Sequence, residues 1–184
     1  MTDQAASEFA RIVATEEDIQ SALDRMAREI TADYAGRDLL LVGVLKGAIM
    51  TMADLSRRLE PTVPMDWMAV SSYGAGTKSS GVVRILKDLD ADVTGRNVLI
   101  VEDIVDSGRT LAWLVANLRS RGAASVEVAA MFRKPDAAVV KTDVTYVGIE
   151  IPNDFVVGFG LDYAERYRGL PYVAALAPHV YGGE

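Results

Sequence analysis

Leu39 to Leu45 is apolar from end to end and stops abruptly at Lys46-Gly47. A strand with one face in water alternates apolar and polar residues, whereas a run that is apolar at every position belongs to a strand covered on both faces. The apolar pattern returns at Asn97 to Val101, and Ser125 to Phe132 and Thr145 to Ile151 read as two more buried strands, each ending where charged or turn residues begin. Helical stretches lie between these runs, and strands alternating with helices imply an α/β fold with a central, mainly parallel sheet flanked by helices. In such sheets ligands bind beyond the carboxyl ends of the strands. The residues to inspect are therefore Lys46-Gly47, Glu102 to Thr110, Lys134 and the segment after Ile151.

Thr15 with Glu16, Glu17 and Asp18 reads as a helix start, and Ile19, Leu23, Met26 and Ile30 then recur at helical spacing. That face is core packing and carries no chemistry. A second helix is expected over Ile49 to Leu59 and a third from Thr110 to Arg121. Asp66 to Ser71 and Val82 to Leu86 read as strands on either side of Ser72 to Gly81, a segment with three glycines and little to anchor it. An acidic turn, Asp88 to Gly95, follows. Trp67, Trp113 and the methionines fit core packing, and His179 a surface position. All 184 residues are expected to form one domain, with a small hood from the amino-terminal region and about residues 152–184.

Composition excludes several classes. Nineteen basic against twenty-six acidic residues leave a net charge of −7, which repels polyanions and argues against nucleic-acid binding. With no cysteine there is no disulfide framework, thiol nucleophile or thiolate metal site. No apolar run reaches the roughly 18 residues that span a bilayer, and no secretory pattern opens the chain. The expectation is a cytoplasmic protein away from membranes.

The segment Val98 to Thr110 is the most informative. An apolar strand delivers Glu102 and Asp103, then Asp106, Ser107 and Gly108 turn the chain into a helix through Arg109 and Thr110. Free amides at a helix start, two hydroxyls and the helix dipole suit a monophosphate. Glu102 and Asp103 suit a sugar's vicinal hydroxyls, directly or through a hydrated metal ion. The plain alternative is a strand-to-helix turn with solvated acids at its rim. Replacing Gly108 with Val is expected to obstruct phosphate while leaving thermal stability little changed.

At these residues the sequence resembles the binding motif for 5-phosphoribosyl 1-diphosphate (PRPP) of the type I phosphoribosyltransferases. Leu45-Lys46-Gly47-Ala48 is similar to the diphosphate loop of their hypoxanthine-guanine branch, and Ser72-Tyr73 to the pair that opens its flexible lid. Phe132-Arg133-Lys134-Pro135 is similar to its purine-binding segment, as is Phe155 to Tyr163, running on to Arg168. The likeness extends from about Ile12 to Val173 in the family's order. It departs at Ala48, where a second glycine is common, at Arg109, often lysine, and at Met131-Phe132-Arg133, more usually Leu-Leu-Asp.

The resemblance implies the type I fold and transfer of phosphoribosyl from PRPP to N9 of hypoxanthine or guanine, forming IMP or GMP and pyrophosphate. It also implies a cis peptide before Lys46, with the Gly47 amide facing the diphosphate. PRPP would be held by Lys46, Gly47, Glu102, Asp103, Asp106, Ser107, Gly108, Arg109, Thr110 and Arg168. Mg2+ would be held by Glu102, Asp103 and Asp162. The purine would stack on Phe155, beside Val156 and Asp162, with its 6-oxo group on Lys134. Asp106 is the candidate proton acceptor at N7, and Ser72 and Tyr73 belong to the lid. A homodimer or homotetramer is implied. The alternatives are a xanthine- or guanine-preferring relative, a uracil-using one, or a non-catalytic PRPP-sensing regulator.

Overall fold

The computed structural model describes residues 8–72 and 83–182. The apolar run becomes β2 (Leu39–Leu45), an inner strand of a six-stranded sheet, and its alternation explains why no polar residue interrupts it. Leu39 and Leu41 join a core with the buried residues of α1 (Glu16–Asp33) and α2 (Ile49–Ser56), whereas Leu40, Val42 and Val44 join another with those of α3 (Arg109–Ser120). Both faces of the strand are thus covered.

Flanking β2 in parallel are β3 (Met65–Ser72) and β5 (Asn97–Val105). Beyond β5 lie β6 (Ser125–Arg133) and β7 (Tyr146–Glu150), also parallel, while β4 (Val83–Lys87) pairs antiparallel with β3 at the other edge. The order is β4-β3-β2-β5-β6-β7. Chain direction through the sheet reverses here: β2 leads through α2 to β3 on one side, and β5 leads through α3 to β6 on the other. Such a switch point opens a crevice between the carboxyl ends of the two strands.

Thr15 caps α1 with a reciprocal pair of bonds: its hydroxyl accepts from the Asp18 amide at 3.2 Å, and its own amide donates to the Asp18 carboxylate at 2.9 Å. α2 is shorter than its apolar pattern suggested, ending at Ser56, although Leu59 in the following turn is still buried. Trp67 and Trp113 pack at the margins of the two cores, but Met65 is 52% exposed and does not belong to either.

A second, antiparallel sheet has the order β1-β9-β8, made by β1 (Phe9–Ala14), β8 (Val156–Val157) and β9 (Val173–Leu176). Phe9 packs edge-on against Tyr167 and Tyr172 at 5.7 and 6.4 Å. A short α4 (Pro178–Tyr181) follows β9 and carries the exposed His179. No described helix is long and apolar enough to cross a membrane.

Candidate active site

The turn after β5 has the form its sequence dictates. Gly108 caps α3 in the left-handed region, φ 77°, and turns the chain into a helix that begins at Arg109. The amides of Val139 and Val140 donate to the Ser107 carbonyl at 3.1 and 3.0 Å, and the Thr142 hydroxyl donates to the Gly108 carbonyl at 3.3 Å, which braces the turn from outside. Glu102, Asp106, Ser107, Gly108 and Thr110 line a small cavity of about 120 Å³ at this point. Arg109 is exposed at the helix start.

The acid pair departs from the sequence expectation. β5 runs four residues past Val101 to Val105, so Glu102 and Asp103 lie within the strand rather than just after it. Successive strand residues face opposite ways, and the two carboxylates part accordingly. Glu102 is buried beside the Gly108 turn, while Asp103 lies against Gly47: a methyl group added at Gly47 would fall 1.6 Å from the Asp103 carboxylate. Burial, reinforced by Asp103, pushes Glu102 well above the ordinary carboxylate range. Burial likewise raises Asp103 to about 6, against the pull of its amide hydrogen bonds and of Arg168.

The Leu45–Lys46 peptide is cis. Lys46 is exposed and reaches Glu165 at 3.1 Å. Gly160, φ 98°, brings the segment after β8 onto the Gly47 carbonyl, so closely that a methyl group there would sit 2.0 Å from that oxygen. Arg168 then donates to the Gly160 carbonyl at 2.7 Å and meets Asp162 at 2.9 Å and Glu165 at 3.3 Å. Lys46, Gly47, Asp103, Asp162 and Arg168 thus meet on one side of the crevice.

Lys134 follows β6 directly, and its amide donates to the Val105 carbonyl at 3.0 Å. Its side chain is 9% exposed, with the ammonium 3.5 Å from the Asp106 carboxylate, which is 56% exposed. Phe155 is no core aromatic: it is 40% exposed, edge-on to Tyr163 at 5.8 Å and stacked on Tyr181 at 4.8 Å. Val156 is buried in β8. Ser72 ends β3, whereas Tyr73 and the rest of the expected lid, through Gly81, lie outside the described residues, as does Val82, the first residue of the strand expected after it.

The model of the phosphoribosyl transferase domain matches residues 13–164. The chain belongs to the phosphoribosyl transferase family. Within it, this phosphoribosyltransferase is 53% identical over 176 residues to the hypoxanthine-guanine phosphoribosyltransferase of Mycobacterium avium, covering 92% of the present chain and 87% of the relative. It is 49% identical over 175 residues to that of Streptococcus agalactiae, covering 95% and 97% of the two chains. A crystal structure of a hypoxanthine phosphoribosyltransferase from Staphylococcus aureus superposes with a TM-score of 0.93 at 42% identity, covering 98% of each chain. These likenesses place the phosphoribosyltransferase in the hypoxanthine-guanine branch and establish the type I fold.

Does the donor set of this phosphoribosyltransferase fit a magnesium ion? Two carboxylates raised by burial, with a third acid near enough to Asp103 to raise it further, form a hard-oxygen set whose charge a divalent cation would offset. No three acids among the described residues converge on one point, however, so Glu102, Asp103 and Asp162 do not make a three-carboxylate cage. An ion that keeps several waters and shares its remaining positions with substrate oxygens fits such a set, as Mg2+ does.

The Gly108 turn also changes one expectation. A side chain at this position meets the Val140 carbonyl at 2.5 Å and imposes a left-handed conformation on a β-branched residue. Gly108→Val is therefore expected to lower thermal stability as well as raise the Michaelis constant for PRPP, and a thermal melt beside a PRPP titration checks both. Two aromatic and acidic neighbours, Tyr181 and Glu165, had no signal in the sequence, because only the fold carries them to Phe155 and Lys46.

Proposed function

We propose that the residues gathered at the carboxyl ends of β2 and β5 carry out the family reaction on 6-oxopurines. The enzyme transfers the 5-phosphoribosyl group from PRPP to N9 of hypoxanthine or guanine, giving IMP or GMP and pyrophosphate, a step of purine salvage. The observation that carries the site assignment is the Lys134–Asp106 ion pair, because it joins the base-recognising cation to the phosphate turn in one crevice.

In this reading the amides and hydroxyls of Asp106 to Thr110 hold the 5-phosphate, with the α3 dipole favouring its charge. Lys46, the Gly47 amide and Arg168 face the diphosphate, and Asp103 faces the ribose hydroxyls. Mg2+, held through Glu102, Asp103 or Asp162, would neutralise the diphosphate as it leaves. As the bond from C1 to the diphosphate breaks, the N9 lone pair forms the new bond and the proton at N7 passes to Asp106. Phe155 supports the purine face, and the Lys134 ammonium donates to O6. Fixed cations favour the leaving group over the intact substrate because negative charge grows there in the transition state.

Four routes fit the PRPP site itself: a hypoxanthine-guanine enzyme, a xanthine- or guanine-preferring one, a uracil-using one and a regulator without catalysis. The chemistry of Lys134 and Phe155 favours a 6-oxopurine. Pyrophosphate release measured with PRPP, Mg2+ and, in turn, hypoxanthine, guanine, xanthine, adenine and uracil separates them. Turnover with hypoxanthine or guanine is expected and adenine should be rejected; equal use of adenine, or no pyrophosphate with any base, would overturn the assignment. Association into a homodimer or homotetramer and a cytoplasmic location belong to the same proposal, the former checked by sedimentation.

A further inference from the structure

Glu165 stands out among the acids around the crevice because of what it touches. One carboxylate oxygen lies 3.1 Å from the Lys46 ammonium and the other 3.3 Å from an Arg168 guanidinium nitrogen. The same carboxylate spans the two cations that the proposed function assigns to diphosphate. Hydrogen bonds from Lys46 and then from Arg168 hold Glu165 below its ordinary carboxylate value.

The backbone delivers it there at a conformational cost. Ala164, Glu165 and Tyr167 are non-glycine residues in the left-handed region, at φ 50°, 62° and 76°. Such residues persist where their surroundings over-determine them. Here the Glu165 amide donates to Asp162 at 2.9 Å, and Tyr163 and Arg166 exchange backbone hydrogen bonds across the turn at 3.2 and 3.0 Å. Arg168, meanwhile, has its Nε buried with no hydrogen-bond partner among the described residues.

We infer that Glu165 is an internal competitor for the diphosphate: it pairs with Lys46 and Arg168 in the free protein, gives way when PRPP arrives, and re-forms those pairs as pyrophosphate departs. This inference rests on the proposed role of Lys46 and Arg168. Its physical basis is simple competition. The Lys46–Glu165 pair is exposed, 67% and 64% for the two side chains, so water and salt screen it and it yields readily to a ligand bearing several negative charges. A bound diphosphate also feels repulsion from a carboxylate a few ångströms away. Glu165 is accordingly a positioning residue. It sets the fraction of protein whose cations are available, and the apparent affinity for the anion scales with that fraction.

The experiment is calorimetric binding of inorganic pyrophosphate in the presence of Mg2+ to wild type, Glu165→Gln, Lys46→Met and the double variant. Glu165→Gln is expected to bind pyrophosphate about 3- to 10-fold more tightly and to lower the KM for PRPP by a similar factor, with the KM for hypoxanthine unchanged. A residue with a merely structural role would weaken all three. Lys46→Met should weaken pyrophosphate binding and shrink the benefit of Glu165→Gln, since one of the contested cations has gone. If Lys46→Met weakens binding while Glu165→Gln leaves it unchanged or weakens it, the competitor role is wrong and the diphosphate site stands. If Lys46→Met binds pyrophosphate like the wild type, the assignment of the diphosphate site fails and the competitor role falls with it.

Discussion

Lys134→Met is expected to lower kcat/KM for hypoxanthine and guanine together, while leaving the KM for PRPP within a factor of about two. The ammonium is nearly buried and carries donors only, so in the proposed site it would satisfy the O6 acceptor of a 6-oxopurine and offer nothing to the 6-amino group of adenine. Losing a charged hydrogen bond in a desolvated site costs about 1 to 3 kcal/mol, or roughly 5- to 150-fold in rate. Adenine, which never gained that bond, should lose less, and the gap between the two base classes should narrow. Stability should change little, because the Asp106 carboxylate left behind is more than half exposed and water can solvate it. Steady-state kinetics with three bases, beside a thermal melt, check every part. Unaltered use of both 6-oxopurines would remove Lys134 from base recognition.

Asp106→Asn should lower turnover on the order of 10²-fold or more, the usual size of a lost general acid-base group, with PRPP binding largely retained. The position supports this division. Asp106 lies where β5 ends and the Gly108 turn begins, so its backbone stays with the turn while its side chain reaches toward Lys134. An amide keeps the shape and the capacity to accept from Lys134 but cannot take a proton. Single-turnover rates at saturating PRPP give the chemical step free of product release. Wild-type turnover in this variant would rule out proton transfer through Asp106.

The elements that the sequence made legible are those whose signal is local. β2 is readable because both faces of one strand are buried, and the start of α1 because Thr15 and Asp18 satisfy each other within one turn. The phosphate turn is readable for the same reason: glycine, hydroxyls and acids stand together in the chain. The end of β5 was not, since hydrophobicity marks a strand only where its residues are apolar. The last four residues of β5 begin with the buried Glu102 and the half-buried Asp103, acids that an apolarity count places outside the strand.

Long-range partners supplied the remaining structure. β1 has half-exposed residues, including Ile12 at 49%, and becomes a strand only because β9 lies beside it. β8 is two residues long and is fixed by its pairing with β9. In the site, the parting of Glu102 from Asp103 follows from strand alternation that their adjacency in sequence conceals. The reach of Glu165 to Lys46 depends on the close approach of Gly160 to Gly47, a contact between segments far apart in the chain.

A crystal structure of the protein with PRPP, Mg2+ and a 6-oxopurine carrying carbon in place of N9 tests these assignments together, because that base can occupy the site but cannot react. The 5-phosphate is expected on the amides of Ser107 to Thr110 and the diphosphate against Lys46, Gly47 and Arg168. O6 is expected within hydrogen-bond distance of the Lys134 ammonium, with N7 facing Asp106 and the ring over Phe155. A purine bound with O6 turned away from Lys134, or a diphosphate that leaves Glu165 still bridging Lys46 and Arg168, would contradict these assignments.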